Sequence, residues 1–499
     1  MSMVAIRETV SQLLPQGIGR QTSLVVIGDA INFTTGFISA MILARIIPVD
    51  VMGTYRQVMY LAPMVASIVE LGISGTVYRY WKFYDEAQRA SYTKMLTIVM
   101  CFLGVLGSAI LAVCAVPLAR WYHNPALQTA VLITAAYPLA TIPLMLLRPV
   151  LLSQGYSLRA TFLETFFSLM SILSILMPLW MGLSLNAALS IWIIVSLLRL
   201  VAFPLFVGEY LRLSGSWWNR HIMREVWSYL WPIQVGRLPG YITSYLDKVV
   251  TSLFFSTKDF AIYSMGAREI PFIGVMGMSV ANVLTPHLVD DMKEQRYGQA
   301  FLRWRKACER TALVTYPIAA FCCWYAVPVM QFLYSATYTE SSIPFQVFAA
   351  LTFVRVVEYA SLAKAMGRSD LIMRYAFVGA GVMFLCIVPL GWMMKGFGIA
   401  LAFLLATLAS STYILFKYKQ IFNVNINTFF PWPRLSLILL ISLISAACSS
   451  FILGPVFVLN NNLGIFNLGA KLGALFAASC AVYVVLLWVI GFIKIRKLS

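Results

Sequence analysis

Five charged side chains interrupt long apolar stretches of the sequence. Three are the arginines Arg56, Arg237 and Arg268, and two are the carboxylates Asp29 and Glu70. A charge inside a membrane-spanning helix costs about 2.5–3.5 kcal/mol on insertion scales, so such residues often have a functional role. Because a guanidinium can bind two oxygens of a phosphate group at once, the arginines are candidate substrate-binding residues for an anionic group. The two carboxylates are candidates for coupling or gating.

Each candidate also has a purely structural interpretation. Arg268 lies about eight residues into its apolar run, roughly 12 Å deep at 1.5 Å per residue, and can pair with a carboxylate of a neighbouring helix. Arg56 lies closer to the outer interface, which its side chain can reach. Arg237 and Asp29 can form a salt bridge, or Arg237 can bind substrate while Asp29 carries a coupling cation. Glu70 can be protonated during transport or can stabilise a nearby arginine.

Other charges in or beside the apolar runs favour structural roles. Arg355 and Glu358 are three positions apart on a predicted helix, close enough to neutralise each other on one helix face. Glu164 lies near the end of its run, where we expect it to pair or to reach the interface. Asp247 and Lys248 are expected to form a solvated pair at the outer surface.

The composition places all these charges in a membrane protein. Hydrophobic residues make up 60% of the chain and charged residues 11%, with a mean hydropathy of +0.82. A soluble protein carries about 25% charged residues. The formal net charge of +18 would suit nucleic-acid binding, but the basic residues lie in short segments between apolar runs. We therefore predict an all-α integral membrane protein, with the lipid bilayer as its surroundings and no nucleic-acid partner.

Fourteen apolar runs have the length of a membrane-spanning helix, about 20 residues. They centre near Phe33, Ser67, Leu106, Ala136, Ile172, Leu197, Tyr241, Met276, Ala320, Thr352, Met383, Leu408, Leu443 and Val482. With a cytoplasmic N-terminus, 26 of the 37 Lys and Arg residues fall in inside segments and five in outside segments. This positive-inside distribution predicts that both termini are cytoplasmic.

An internal repeat relates the first two runs to the seventh and eighth. A shift of 208 residues aligns Gly28 with Gly236 and places Arg56 opposite Ser264, one helical turn before Arg268. The same shift places Asp29 opposite Arg237, and Tyr55 and Pro63 meet identical residues. Arg56 and Arg268 would then occupy related faces of two similar halves.

The repeat predicts three regions along the chain. Two pseudo-symmetric six-helix lobes comprise residues 1–213 and 214–422, and a C-terminal helix pair comprises residues 423–499. Transporters built from parallel repeats bind substrate between their lobes and alternate the access to that site.

The sequence lacks signatures of enzymatic chemistry. It contains no P-loop pattern, and no predicted outer loop is long enough to carry the catalytic residues of a membrane glycosyltransferase or polymerase. Its eight cysteines lie in or beside apolar runs without metal-ligand spacing. We therefore predict a non-enzyme without catalytic residues, metal site or cofactor.

Four segments resemble bacterial polysaccharide flippases. LARIIPVDVMGTYRQVMYLAP, from Leu43 to Pro63, followed by ELGISGTVYRYW, is similar to the family's entry into helix 2. YLDKVVTSLFFSTKDFAIYSMGAREIPF, from Tyr245 to Phe272, is similar to its helix 7 end and helix 8 start, and Asn282 to Pro286 resembles the close of helix 8. The family belongs to the superfamily that includes multidrug extruders and the lipid II flippase.

The resemblance implies a flippase in the bacterial inner membrane. Its substrate would be an oligosaccharide on a polyprenyl pyrophosphate, moved from the cytoplasmic to the outer leaflet for surface polysaccharide synthesis, with polysaccharide polymerase machinery as a further partner. The arginines of helices 2 and 8, Arg56 and Arg268, also resemble the cleft of the lipid II flippase. The alternative is an ion-coupled multidrug or small-molecule exporter of the same superfamily, for which an acidic cavity and twelve helices are expected.

Overall fold

The computed structural model describes residues 18–212, 216–270, 273–356, 358–453 and 465–490, and within these ranges the chain forms helices and turns without a strand. An apolar chain adopts helices in a bilayer because each backbone N–H and C=O must find its partner within the protein. Contacts divide the described residues into two compact units, 18–47 with 54–235, and 48–53 with 236–490. The predicted boundaries at residues 213 and 422 stay predictions.

The first unit is built from long helices joined by short turns. The helices are α1 (Ile18–Ile46), α2 (Val49–Glu70, which belongs to this unit from Thr54 onward), α3 (Glu86–Trp121), α4 (Pro125–Ser153), α5 (Ser157–Trp180), α6 (Leu185–Arg212) and the first half of α7 (Arg220–Phe254). Helix α1 packs along α5, α5 packs on α6, and α3 packs on α4. Prolines divide α4 into short helical segments.

The connection from α2 to α3 carries tyrosines that contact the first half of α7. The hydroxyl of Tyr84 donates to the Glu225 carboxylate at 3.1 Å, and the Arg79 guanidinium lies 4.6 Å from the ring centre of Tyr229. Burial, reinforced by the Glu225 carboxylate, raises the pKa of the Tyr84 hydroxyl. The hydroxyl therefore stays protonated and remains a donor to Glu225 at neutral pH.

The second unit is built from more interrupted helices. After the second half of α7 come α8 (Thr257–Gly266), α9 (Ile273–Lys293), α10 (Tyr297–Trp324), α11 (Ala326–Tyr334), α12 (Ser342–Val354), α13 (Ser361–Ala365), α14 (Ser369–Phe422), α15 (Trp432–Leu453) and α16 (Ile465–Val489). Helix α14 is interrupted by a kink at Lys395, whose backbone angles are not helical (φ is 51° and ψ is −137°). The C-terminal helices α15 and α16 pack on each other and on α10.

Tyrosine hydroxyls support the break between α12 and α13. Tyr316 donates to the carbonyl of Phe353 at 2.8 Å, and Tyr418 donates to the carbonyl of Tyr359 at 2.7 Å. Tyr418 also accepts the backbone N–H of Ala363 at 3.0 Å. The side chains thus satisfy backbone groups that the interrupted helix leaves without a partner.

Six helices among the described residues are long and apolar enough to cross a membrane. They are Glu86–Trp121, Pro125–Ser153, Ser157–Trp180, Ser369–Phe422, Trp432–Leu453 and Asn467–Val489. Two bent pairs raise the number to eight: α2 with Ile73–Tyr80, bent by 46°, and α10 with α11, bent by 85°. The all-helical membrane fold is therefore confirmed, while the number fourteen and the cytoplasmic placement of both termini stay predictions.

The end of α8 makes a close backbone contact that allows only glycine. A Cβ atom added to Gly266 would lie 2.1 Å from the backbone oxygen of Ser341, whereas one added to Gly277 on α9 would meet no atom within 4 Å. We expect Gly266→Ala to destabilise the folded protein by about 1–3 kcal/mol because the backbones must separate. Thermal unfolding of the purified full chain in detergent measures the effect. Gly277→Ala is the matched control, and equal melting temperatures of the two variants would contradict the close contact.

Candidate functional site

The first unit contains a polar cavity of about 540 Å³. Its walls come from the helical turns after α2 and from α4, α5 and α6. The polar and aromatic lining residues include Ser74, Tyr78, Tyr137, Arg148, Glu164, Ser171, Trp192, Ser196 and Arg199. The cavity therefore combines charged groups with aromatic walls inside a single unit of the protein.

Arg148, which lines this cavity, pairs with two carboxylates. Its Nη2 lies 3.0 Å from Asp29 on α1, and its Nη1 lies 2.9 Å from Glu164 on α5. About a third of the Arg148 side chain is exposed, compared with 46% of Asp29 and 39% of Glu164. Asp29 thus pairs with Arg148 within its own unit. The sequence repeat had suggested Arg237 as its partner and did not indicate Arg148.

Arg199 lines the same cavity. Its Nη1 donates to the hydroxyl of Ser171 at 3.0 Å, and its guanidinium lies 4.6 Å from the ring centre of Phe167. Cation–π contact and a neutral hydrogen bond together hold the charge without a carboxylate at hydrogen-bond distance. The guanidinium of Arg199 is therefore stabilised differently from that of Arg148.

Glu70 is buried at the end of α2, where its side chain accepts hydrogen bonds from backbone N–H groups. The chain leaves the helix at Leu71 and Gly72, whose φ angles are 55° and 64°. The Glu70 carboxylate accepts the N–H groups of Gly72 and Ser74, each at 2.7 Å. It thereby satisfies two donors that the bend exposes, and this structural role is one that the sequence did not predict.

Arg268 lies at the interruption between α8 and α9, not inside a continuous helix as its position in the apolar run predicts. Its backbone N–H donates to the carbonyl of Gly266 at 2.7 Å. Its Nη1 atom is buried and has no hydrogen-bond partner among the described residues. A buried donor without an acceptor costs about 1–3 kcal/mol, so the site is suited to an anionic group that supplies one.

The two remaining candidate residues, Arg56 and Arg237, lie on helices α2 and α7. Arg56 is partly buried on α2, seven residues after the helix begins at Val49. Arg237 lies on α7, but its side chain falls outside the described part of the chain.

A second cavity, of about 590 Å³, lies in the second unit beside α9 and α12. At its wall Arg355 pairs with Glu269, and Glu358 pairs with Lys364. The expected pairing of Arg355 with Glu358 is wrong. Because α12 ends at Val354, these two residues do not share a helix face.

Asp247 forms the predicted pair with Lys248, but the pair is not solvated as expected. The Asp247 carboxylate is buried, 3.1 Å from the Lys248 ammonium and 3.3 Å from the Tyr263 hydroxyl. In the part of the chain that the structure describes, no three His, Cys, Asp or Glu residues come together as a metal site.

Arg148 is the cation shared by Asp29 and Glu164 in the first unit. We expect Arg148→Gln to lower the free energy of unfolding by about 1–2 kcal/mol, because two neighbouring carboxylates lose their shared cation in a partly exposed setting. Thermal unfolding in detergent measures the loss, and Arg120→Gln, an exposed position of the same unit, is the matched control.

The carboxylates supply a second test of the cluster. Asp29→Asn in the Arg148→Gln background should restore part of the stability by removing the repulsion between Asp29 and Glu164. Additive losses in the double variant would contradict the three-residue network.

Comparison with known proteins defines the fold and the family. The chain resembles the lipid II flippase MurJ in an inward closed conformation, with a TM-score of 0.72 and 14% identity over 95% of this chain and 100% of that one. It also resembles an inward-facing multidrug resistance MATE transporter of the MOP superfamily, with a TM-score of 0.60 and 15% identity over 79% of this chain and 96% of that one.

A MOP superfamily transporter from Pyrococcus furiosus has a TM-score of 0.55 and 12% identity over 81% of this chain and 95% of that one. No curated protein matches the sequence. The family described as "Polysaccharide biosynthesis protein" matches residues 42–343, which is more than half of the chain. The match confirms the resemblance seen in the sequence, and the chain belongs to this polysaccharide biosynthesis family.

Proposed function

We propose that the protein is a lipid-linked oligosaccharide flippase. It moves a sugar unit on polyprenyl pyrophosphate from the cytoplasmic to the outer leaflet of the bacterial inner membrane by alternating access. Membership of a polysaccharide biosynthesis family supports the substrate class, and the fold shared with a lipid II flippase supports the transport mode. Polysaccharide polymerase machinery is the proposed partner that receives the product.

The buried Nη1 of Arg268 is the observation that carries this proposal. A pyrophosphate offers several anionic oxygens, and a guanidinium can bind two of them in a planar, bidentate arrangement. Since Nη1 has no acceptor among the described residues, substrate binding supplies a hydrogen bond without first breaking one. Arg56 and Arg237 are the proposed additional substrate-binding residues.

Asp29 and Glu70 are the proposed coupling or gating residues. Asp29 shares Arg148 with Glu164, so a proton or cation that binds the carboxylate would loosen the ion pair. Glu70 accepts two backbone N–H groups at the bend after α2, so its protonation would weaken that bend. A membrane potential can also drive an anionic head group outward, by about 2.3 kcal/mol per charge per 100 mV.

An ion-coupled exporter of multidrug or small-molecule type is the second candidate. It is favoured by the fold shared with a MATE transporter and by the two carboxylates that pair with Arg148 in the first unit. A cationic drug would require a carboxylate that can leave Arg148. The two candidates differ in the charge of the substrate that the protein moves.

Transport in proteoliposomes tests the flippase proposal. With a fluorescent polyprenyl-pyrophosphate oligosaccharide, we expect Arg268→Ala to slow flipping about tenfold or more, since a hydrogen bond to a charged group contributes about 1.5–3 kcal/mol. Arg268→Lys should recover part of the rate because it restores the charge but not the planar fork. Arg374→Ala, at an exposed position, is the matched control.

Different failures of this assay have different meanings. If the folded Arg268→Ala variant flips the lipid as fast as the wild type, the flippase function would stand, but Arg268 would be rejected as a substrate-binding residue. No flipping of sugar lipids by the wild type, together with uptake of a cationic dye against a proton or sodium gradient, would replace the flippase by the exporter.

The coupling proposal predicts a separation between driven and undriven transport. We expect Asp29→Asn to abolish the stimulation of flipping by an imposed ion gradient while leaving exchange without a gradient within about twofold. Glu70→Gln should show the same pattern together with a lower melting temperature, because an amide offers one acceptor oxygen to the bend instead of two. Full gradient stimulation in both variants would assign the coupling to other residues.

A further inference from the structure

A groove of about 760 Å³ lies between α9 and α10, away from the two cavities described above. The two helices are joined by a short turn and pack against each other. From α9 the groove receives an uncharged wall that includes Met276, Val280 and Val283, and from α10 it receives Lys306 and Arg310. The groove is therefore amphipathic, with a basic side and an apolar side.

The charged residues of α10 differ between the face that lines the groove and the opposite face. Glu309 is buried on the face away from the groove, where it pairs with Arg305 at 3.2 Å and with Arg434 at 2.6 Å. On the groove side, Arg303 pairs with the buried Asp291 at 2.8 Å. The nearby carboxylates thus already hold other arginines.

Lys306 and Arg310 are exposed, and His287 from α9 lies in the same groove. No ion pair of Lys306 or Arg310 with a carboxylate occurs among the described residues. This leaves a local excess of positive charge, which complements an anionic ligand.

A buried hydroxyl marks the point where the basic side meets the apolar side. Thr311 is 6% exposed, lines the groove, and its Oγ1 has no hydrogen-bond partner within the described ranges. Arg310 is the last charged residue of α10, so Thr311 begins its uncharged stretch. A donor at this depth suits the ester or phosphate oxygens of a lipid whose head group contacts the basic residues.

We propose that this groove binds a phospholipid with a negatively charged head group from the surrounding bilayer. Lys306 and Arg310 contact the phosphate, the Thr311 hydroxyl donates to a phosphate or ester oxygen, and an acyl chain lies along Val280 and Val283. Val283 is 69% exposed in the protein alone, so an acyl chain would cover it. Basic pockets between membrane helices are known to bind such head groups. The predicted orientation places the groove on the cytoplasmic side.

Lipid retention by the purified full chain tests the proposal. We expect native mass spectrometry to show phosphatidylglycerol retained over phosphatidylcholine at equal concentration. The double variant Lys306→Gln/Arg310→Gln should weaken phosphatidylglycerol binding about thirtyfold, because each basic residue near the surface contributes about 1 kcal/mol. The matched control is Lys82→Gln/Lys419→Gln, which removes the same charge from two other exposed positions.

The Thr311→Val variant separates the lipid site from folding. Valine removes the hydroxyl but keeps the shape, and an unpartnered buried hydroxyl contributes nothing to folding. We therefore expect unchanged or higher thermal stability in lipid-free detergent and about two- to tenfold weaker phosphatidylglycerol retention, since a neutral hydrogen bond contributes about 0.5–1.5 kcal/mol.

Three results would overturn the assignment. They are equal loss of phosphatidylglycerol in the test and control double variants, equal retention of phosphatidylcholine, and displacement of phosphatidylglycerol by inorganic phosphate at the same concentration. Retention of an isoprenoid phosphate but not of phosphatidylglycerol would instead assign the groove to the carrier lipid and reject the bilayer phospholipid.

Discussion

The need to satisfy backbone hydrogen bonds in an apolar chain determines where this protein can leave the helical conformation. In hydrocarbon an unsatisfied N–H or C=O costs several kcal/mol, so the backbone groups at an interruption must find partners elsewhere in the protein. At the end of α2 the Glu70 carboxylate accepts two N–H groups. At the end of α12 the hydroxyls of Tyr316 and Tyr418 donate to carbonyls on either side of the break. Polar residues in these apolar helices therefore fix the bends of the backbone.

The same constraint applies to the charged side chains. Arg148 is balanced by two carboxylates, and buried Asp247 is balanced by a lysine and a tyrosine hydroxyl. Arg199 is held by an aromatic ring and a serine. Each of these groups has partners that lower the cost of burial, so a substrate that binds the Arg148 guanidinium or replaces a partner of Asp247 must compete with those partners.

The sequence predicted the class of protein better than it predicted the contacts of its charges. Apolar runs and the positions of basic residues were sufficient for an all-helical membrane fold, and short motifs were sufficient for the family. Nothing in the local sequence of Arg148 indicates that Asp29, 119 positions away, is its partner. Arg355 and Glu358 were paired by helical spacing, a rule that fails once the helix ends at Val354. Pairing in a membrane protein depends on which helices pack together, and local periodicity does not contain that information.

The distinction between partnered and unpartnered arginines argues for Arg268 over Arg148 as a binding group. A pyrophosphate that approached Arg148 would have to displace Asp29 and Glu164, and the loss of those ion pairs would offset the gain. Arg268 has a buried Nη1 without an acceptor among the described residues, so the new hydrogen bond is added without replacing another. A buried donor without an acceptor gains a hydrogen bond and loses none when an anionic group reaches it, so we propose Arg268 rather than Arg148 as the group that binds the pyrophosphate.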